Sequence, residues 1–296
     1  MLFDAKAYSE TLSHIGQLCI LSRFPLPVFI REIGSTGRFD ACGPWPYATP
    51  PDGESWRAGM MELRERGAVS YVMVARPDFA YEAGELVKAG AVVRPLKQHF
   101  IRDPNYPAVA PGRGTRRKIE RARSHWTIEE GAAGAGLAEA LCQCHRLLYE
   151  RRHAFGMARM SDDHFAKLLS LPQVTCLVAR DSGGVGSMTV AYRGRNETHL
   201  IHHCVKPRAT TTYASYLLMA EAMERWGRSG PVYLGGTPDG AESQGVGIFK
   251  QRWANRTADA MLVGQILDHS VYHQLCADVG SSDYFPAYRG WKRPAP

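Results

Sequence analysis

The stretch TCLVARDSGGVGSMTVAYRGRNETHLIHHCV, Thr175 to Val205, alternates short β-branched runs with glycine-containing turns. The runs are Thr175 to Arg180, Ser187 to Tyr192 and Thr198 to Val205, and Gly183 and Gly184 separate the first two. Runs of this length bounded by glycine are typical of strands joined by tight turns. The stretch therefore predicts a three-stranded antiparallel meander.

Helical and extended patterns surround this meander. Apolar residues at helical spacing predict helices over Gly136 to Ala154, Asp162 to Leu169 and Ala214 to Trp226. A strand at Val232 to Leu234, a glycine-rich loop up to Gly247 and a last strand at Ala258 to Leu267 complete the pattern. The order indicates a mixed α/β lobe.

The first third of the chain repeats strand and helix. Extended runs are predicted at 26–33, 68–75 and 91–101, helices at 56–66 and 80–89, and a loop at 34–53. Asp103 to Gly114 is rich in proline and glycine and cannot sustain a helix or a central strand. We place a lobe boundary there, which predicts lobes of residues 1–110 and 111–296.

Composition limits the class of protein. The 296 residues are 45% hydrophobic and 22% charged, as in ordinary globular domains. There is no apolar run of 18 residues and no signal-peptide pattern in MLFDAKAYSE, so we expect a soluble cytoplasmic protein without membrane contact. Seven cysteines without framework spacing indicate reduced thiols.

Positive charge is concentrated in one short segment. The net charge is +7, and GRGTRRKIERARSHW sets six basic side chains against Glu120 alone. A helix would gather most of them on one exposed ridge, which suits RNA phosphates or a substrate phosphate, although many such ridges are only solvated surfaces. The basic residues are Arg113, Arg116, Arg117, Lys118, Arg121 and Arg123.

Three segments resemble one family. TRRKIERA, VYLGG at Val232 to Gly236 and GVGIFKQRW at Gly245 to Trp253 are similar to segments of the FemABX-like branch of the GNAT superfamily. The resemblance covers about residues 100 to 267. It implies tandem GNAT-like lobes, each a mixed twisted sheet flanked by helices, that take an amino acid from aminoacyl-tRNA. The N-terminal lobe would serve as acceptor side or scaffold, and the C-terminal lobe would carry donor binding and chemistry.

The resemblance also implies roles for single residues. Phe249 and Lys250 match the family's Gly-x-x-x-Phe-Lys segment, which lies by the aminoacyl end of the donor. A cation there stabilises the oxyanion of acyl transfer, and the aromatic ring stacks on a terminal base. Arg252 and Trp253 extend this donor site, although Trp253-Ala254-Asn255 departs from the family's ending. Core packing of Phe249 and a solvated Lys250 is the structural alternative.

The phosphate-binding turn of ordinary GNAT enzymes is altered here. Pro207 to Tyr213 contains no glycine, so close backbone approach to a coenzyme A pyrophosphate is harder. Thr210, Thr211, Thr212 and Tyr213 are candidate donor contacts, or they only cap the following helix. This favours aminoacyl-tRNA as the co-substrate over acyl-CoA, with no tightly bound cofactor.

The general base and the acceptor site are less determined. Asp239 and Glu242 lie in the loop GGTPDGAESQG, where a carboxylate could accept the proton of an amine or simply be solvated. His202 and His203 face opposite sides of a strand, so only one of them can face a cleft, and a histidine with satisfied hydrogen bonds and no functional role is the structural alternative. We select His202, with Trp45 and Tyr47 of the aromatic loop, as acceptor contacts.

No metal site is expected. Cys142-x-Cys144-His145 places its two thiols about 200° apart on a helix, which does not suit one tetrahedral ion. No thiol has the basic surroundings of a nucleophile.

Three functions remain open. The first is aminoacyl transfer from aminoacyl-tRNA to an amine of a small molecule or peptide, in natural-product tailoring or cell-wall-like chemistry. The second is an acyl-CoA-dependent N-acyltransferase. The third is a non-catalytic RNA-binding module.

Overall fold

The structure is a computed structural model that describes residues 5–79, 83–131, 135–152, 159–237, 244–277, 279 and 284–290. It divides into two compact units, Met1–Lys97 with Asp259–Pro296, and Gln98–Ala258. The division differs from the boundary predicted after residue 110, because the chain leaves the first unit within a continuous strand and its last part returns there. Strand pairing between distant segments sets this division, and the composition of one linker does not reveal it.

The secondary structure alternates helices and strands along both units. The helices are α1 (Ala5–Glu10), α2 (Gly53–Glu65), α3 (Ala83–Lys88), α4 (Arg113–Arg123), α5 (Ala135–Arg152), α6 (Asp162–Leu169), α7 (Pro207–Thr211), α8 (Ala214–Trp226), α9 (Gln244–Gln251) and α10 (His269–Cys276). The strands are β1 (Gln17–Ile20), β2 (Pro27–Glu32), β3 (Phe39–Cys42), β4 (Ser70–Ala75), β5 (Val92–Arg102), β6 (Thr127–Gly131), β7 (Val174–Asp181), β8 (Gly184–Arg193), β9 (Thr198–Val205), β10 (Val232–Gly236) and β11 (Arg256–Ile266). None of the described helices is long and apolar enough to span a lipid bilayer.

The first unit is built on the strand order β1-β2-β3-β4-β11. β3 and β4 are parallel, and the other neighbours are antiparallel. Phe24, Trp56 and Tyr71 form its centre, with ring centroids 5.5–6.1 Å apart in edge-to-face contacts. The Trp56 Nε1–H donates to the Gln265 side chain at 2.7 Å, which joins α2 to the returning strand β11.

The second unit has the order β5-β10-β9-β8-β7-β6, with only β9 and β10 parallel. Strands β7, β8 and β9 form the predicted meander. Helices α4 and α8 pack against each other, and α8 lies on β7, β8 and β9. Helix α5 packs on β9 and α6 on β7. Buried Leu217, Leu218 and Trp226 of α8 form the core together with Leu177 of β7.

Two local predictions are wrong, and both concern glycine-containing segments. Strand β3 lies within the stretch predicted as loop at 34–53, because its four residues pair with β2 and give little local signal. Helix α9 begins at Gln244, where a loop was predicted up to Gly247. Helix α9 contains no fully buried residue, so it lacks the apolar stripe from which a helix is normally recognised.

Candidate functional site

The site lies where β9 and β10 separate. These parallel strands pair only at Thr198 with Val232 and at His199 with Tyr233, although β9 continues to Val205. The His199 and Tyr233 rings stack there, with centroids 4.5 Å apart. Beyond this point the strands no longer pair, and we call the place between Leu200–Val205 of β9 and Leu234–Gly236 of β10 the wedge. Helix α9 follows β10, and α8 begins beyond the end of β9.

Lys250 reaches this wedge from α9. Its Nζ donates a hydrogen bond of 2.7 Å to the carbonyl oxygen of Gly236, and the side chain is half-buried. Gly235 has φ +76°, and a Cβ built there would lie 3.2 Å from the Lys250 Nζ. Glycine at position 235 therefore allows both the backbone turn and the close approach of the ammonium group.

Phe249 sits among aromatic rings. Its ring meets Tyr216 of α8 edge-on at 5.1 Å and lies 6.3 Å from the His203 ring of β9. Trp253, which is buried, touches the same ring at 6.2 Å. Phe249 is itself half-buried, so part of the ring remains accessible beside Lys250.

His203 joins the strand to the start of α8. Its Nδ1 lies 2.7 Å from the hydroxyl of Thr189, and its Nε2 lies 2.9 Å from the hydroxyl of Ser215. Burial, together with the positive charge of Lys250, lowers the pKa of His203 to about 4. The imidazole is therefore neutral near pH 7.

The basic helix α4 is connected to the same aromatic group. The Lys118 Nζ lies 3.1 Å from the Tyr216 hydroxyl and 4.6 Å from the centre of that ring. The Arg121 guanidinium lies 5.6 Å from the Tyr213 ring. These contacts fix two of the predicted donor residues against α8.

Three further arginines of α4 remain available for a ligand. Arg113, Arg116 and Arg117 are exposed and form no ion pair within the described ranges. Arg123, by contrast, lies 3.9 Å from Glu221. The exposed face of α4 therefore carries uncompensated positive charge.

The three consecutive threonines are engaged in the backbone of their own turn. The hydroxyl of Thr210 donates to the carbonyl of Lys206, and those of Thr211 and Thr212 donate to Arg208. The Trp126 indole N–H also donates to the Thr212 hydroxyl, at 3.0 Å. Their hydroxyl hydrogens are thus directed to carbonyls of the preceding turn, and Tyr213 at the start of α8 makes no side-chain capping hydrogen bond. Tyr213, in the left-handed conformation at φ 61°, follows this turn and precedes α8.

The remaining predicted donor residues divide between surface and core. Arg252 is exposed and Trp253 is buried. Asp239 and Glu242, the predicted general bases, lie outside the described residues. Their place in the site stays a prediction.

His202 lies on the opposite face of β9 from Lys250. Its Nε2 is 3.2 Å from Nε2 of His164, and its ring centroid is 5.0 Å from that of His145. Of the two neighbouring histidines, His202 is the predicted acceptor contact. The structure places His203, and not His202, beside Phe249, and an acceptor contact by His202 stays a prediction. The alternation of side chains along a strand places the two histidines on opposite faces of β9. Only the packing of α8 shows which of these faces lies towards Phe249.

The other predicted acceptor residues belong to the first unit. Tyr47 is 4% exposed and forms part of the core, whereas Trp45 is half-buried. Their contact with an acceptor stays a prediction. Within the described part of the chain, no group of three His, Cys, Asp or Glu side chains is arranged to hold a metal ion.

Two features of the site were missed in the sequence analysis. The hydroxyl of Ser215 was not singled out, because a serine near a helix start usually indicates capping alone. Asn255 was noted only as a departure from the family pattern. Its side chain accepts from Asp103 N–H at 2.8 Å and donates to carbonyls of the proline-rich segment, including Asp103 at 2.8 Å. It fixes that segment next to the end of α9.

Comparison with known proteins identifies the fold. FemX shares it with a TM-score of 0.69 at 10% sequence identity, over 91% of this chain and 93% of FemX. The C-terminal domain of a putative lysylphosphatidylglycerol synthetase from Agrobacterium fabrum aligns with a TM-score of 0.62 at 14% identity, over 92% of each chain. L-PGS from Bacillus licheniformis aligns with a TM-score of 0.61 at 12% identity, over 88% of this chain and 90% of its own.

The likeness is one of structure. No family model matches the sequence, and no curated protein matches it. The predicted mixed α/β fold of the FemABX-like branch is confirmed by the structural neighbours.

Proposed function

Starting from a chain with the fold of FemX, we propose that this protein is an aminoacyltransferase that moves an amino acid from aminoacyl-tRNA to an amine. The observation that carries the proposal is Lys250, whose ammonium group is held at the open end of the β9–β10 wedge by the carbonyl of Gly236. The sequence resemblance to tRNA-dependent relatives rests on the same residue and on Phe249.

The reaction breaks one ester bond and forms one amide bond. The neutral amine nitrogen attacks the ester carbonyl carbon, and the carbonyl electron pair moves to oxygen. When this tetrahedral intermediate collapses, the carbon–oxygen bond to the terminal ribose breaks. The amine gives up one proton, and the ribose hydroxyl takes one, so that the products are an amide and free tRNA.

Lys250 suits the step in which the tetrahedral intermediate forms. Negative charge builds on the carbonyl oxygen in the transition state, and a preorganised cation in a partly dry site stabilises it. Because the lysine is already fixed by the backbone of β10, little reorganisation is needed as the charge develops. Removing one such group commonly costs about 10²–10³ in kcat.

The donor is proposed to be tRNA because of α4. Exposed Arg113, Arg116 and Arg117 provide cations for phosphates. Lys118 and Tyr216 connect the basic helix to Phe249 by direct contact. The half-buried ring of Phe249 suits stacking by a terminal base, an interaction of about 1–3 kcal/mol.

The engaged threonines argue against coenzyme A. A pyrophosphate needs free donors, and the hydroxyl hydrogens of Thr210, Thr211 and Thr212 are already directed to backbone carbonyls. The turn also has no glycine for close backbone approach.

The acceptor is proposed to be the amine of a small molecule or peptide. Among proteins of the same fold, one is named a lysylphosphatidylglycerol synthetase. A lipid acceptor is therefore the comparison to include in any assay. Because aminoacyl-tRNA is made in the cytoplasm, we propose that the protein acts there.

The test is a transfer assay with total tRNA, a synthetase mixture, labelled amino acids and a panel of amines. A labelled amide that disappears when ribonuclease is added first supports the proposal. Product that survives ribonuclease and depends on acyl-CoA would assign the site to acyl-CoA chemistry. Salt-sensitive tRNA binding without any product would indicate an RNA-binding module. Vesicles of phosphatidylglycerol serve as the parallel lipid acceptor.

A further inference from the structure

A chain of three side chains runs from the core of the second unit to the wedge. Thr189 of β8 is fully buried, His203 of β9 is half-buried, and Ser215 is the second residue of α8. The two links, from Thr189 to Nδ1 and from Nε2 to Ser215, are 2.7 Å and 2.9 Å long. Both ring nitrogens are therefore occupied, and the direction of each hydrogen bond can be worked out.

Thr189 determines which group donates in each of the two hydrogen bonds. Within the described residues its hydroxyl has the His203 Nδ1 as its hydrogen-bond partner, and the side chain has no access to water. If Nδ1 carried the proton, the hydroxyl hydrogen of Thr189 would be buried without an acceptor, which is unfavourable. The favoured arrangement has Thr189 donating to Nδ1. The imidazole then carries its proton on Nε2 and donates it to the oxygen of Ser215.

This direction decides what Ser215 can do. Its oxygen accepts from His203, so its own hydrogen is left to be donated elsewhere. It cannot pass that proton to His203, because Nε2 is already protonated. A serine–histidine nucleophile is thereby excluded for this pair, and a hydrogen-bond donor results.

The His203 ring that contacts this donor also lies 6.3 Å from Phe249, the neighbour of Lys250 in α9. The His203 ring lies beside Phe249, and the charge of Lys250 acts on it directly. Ser215 stands in the first turn of a 13-residue helix, whose positive end favours negative charge nearby. Hydrogen bonds in a chain also polarise one another, which strengthens the last donor.

We propose that Ser215 is a catalytic residue that donates its hydroxyl hydrogen to the oxyanion, together with Lys250, and that His203 and Thr189 are its positioning residues. This inference rests on the aminoacyltransferase function proposed above. Ser215 keeps its proton throughout and forms no covalent bond.

The kinetic test uses Ser215→Ala and Ser215→Thr, with Ser170→Ala as the matched control on the exposed end of α6. We expect Ser215→Ala to lower kcat on the order of 10²-fold while KM for aminoacyl-tRNA changes less than about 3-fold. Ser215→Thr keeps the hydroxyl and should retain most of the rate. Equal rates for the alanine variant and the wild type would overturn the proposal.

The positioning role is tested by a double-mutant cycle. His203→Leu should lower kcat in the wild-type background but add less than about 2-fold in the Ser215→Ala background. His203→Gln, whose amide accepts from Thr189 and donates to Ser215, should recover part of the loss. Additive effects of the two substitutions would show that His203 does not act through Ser215. Melting temperatures identify any variant that fails to fold.

A measurement without turnover separates this inference from the proposed function. NMR spectra of protein labelled with ¹⁵N-histidine provide this measurement. The His203 signals are identified as those absent from the spectrum of His203→Gln, and they should be those of the neutral Nε2–H tautomer from pH 8 down to pH 6. An Nδ1–H tautomer, or a ring protonated at pH 6, would refute the hydrogen-bond direction whether or not the enzyme is active. If the wild type makes no ribonuclease-sensitive product, the proposed function fails, and the catalytic role of Ser215 fails with it.

Discussion

The ammonium group of Lys250 donates to the carbonyl oxygen of Gly236 at 2.7 Å, so a helix side chain and a strand end are joined at the open wedge. This bond holds a positive charge beside two strands that no longer pair with each other. The geometry depends on the glycine before it, since Gly235 has a left-handed backbone that turns the strand beneath the lysine. Charge and backbone can be tested separately.

Lys250→Ala should lower kcat by about 10²–10³, because the cation that stabilises the oxyanion is removed. The melting temperature should change by less than about 4 °C, since one hydrogen bond of a half-buried side chain is lost. Steady-state transfer and thermal unfolding measure the two effects. Lys167→Ala, an exposed lysine paired with Asp163, is the matched control and should leave both unchanged. A fall of 10 °C or more would assign Lys250 to stability.

Gly235→Ala should destabilise the protein by about 1–2 kcal/mol, because a Cβ is strained at this left-handed backbone. The new methyl would also lie 3.2 Å from the Lys250 Nζ and push it aside, so kcat should fall as well. Denaturant unfolding and the transfer assay report the two effects. Gly114→Ala in α4 meets no atom within 4 Å and should be neutral or slightly stabilising. Unchanged kcat in Gly235→Ala would mean that the position of the lysine is not set there.

Replacing Arg113, Arg116 and Arg117 with glutamine should weaken tRNA binding and flatten its salt dependence. Each lost phosphate contact lowers the slope of log K against log salt by about 0.7–0.9. Fluorescence anisotropy with labelled tRNA between 50 and 200 mM salt measures the slope. The control replaces Arg193, Arg195 and Arg228, three exposed arginines outside α4, with glutamine. Equal slopes for the two triple variants would contradict a specific role for α4.

His145 should make stability fall in mild acid. Burial lowers its pKa to about 4, and neither ring nitrogen has a hydrogen-bond partner among the described residues. Below about pH 6.5 the unfolded chain takes up a proton that the folded chain refuses until about pH 4. The contribution of His145 to the free energy of unfolding therefore decreases as the pH is lowered, by up to about 1.4 kcal/mol per pH unit within this window, and it levels off below the window.

Urea unfolding of the wild type and His145→Phe across pH 7 to 4 tests this. The wild type should lose about 3 kcal/mol more than the variant over the window. His125→Gln, at an exposed histidine, is the control and should follow the wild type. Parallel curves for the wild type and His145→Phe would show that His145 does not titrate as expected.

Local pattern predicted the second unit closely and the first less well. The meander, α6 and α8 follow from glycine turns and apolar spacing, and Asp162–Leu169 and Ala214–Trp226 were predicted to the residue. Helix α9 was missed because its glycines and exposed residues hide a helix whose contacts with β10, β9 and α8 do not appear in the local sequence. The return of β11 to β4 depends on pairing across some 190 positions, which no local pattern contains.

The sequence indicated candidate site residues only where a residue type in a given pattern has a single common chemical role. Lys250 and Phe249 are consecutive in α9, and their predicted roles remain proposals. For the threonines the sequence allowed ligand contact or capping of α8; in the structure their hydroxyls bind carbonyls of their own turn, an arrangement that neither alternative predicted. His203 could not be chosen over His202, since both belong to one strand and the distinction depends on which helices cover each face.

Asn255 and Arg256 determine how the two ends of the Gln98–Ala258 unit lie. Asn255 N–H donates to Ile101 at 3.0 Å, and Arg256 meets Asp103 at 2.8 Å, so the two ends of the Gln98–Ala258 unit are tied side by side. A continuous polypeptide whose ends adjoin behaves as a cassette inserted into its host, and such modules tolerate transplantation and circular permutation. The Gln98–Ala258 unit is therefore suited to be moved or permuted as a single module.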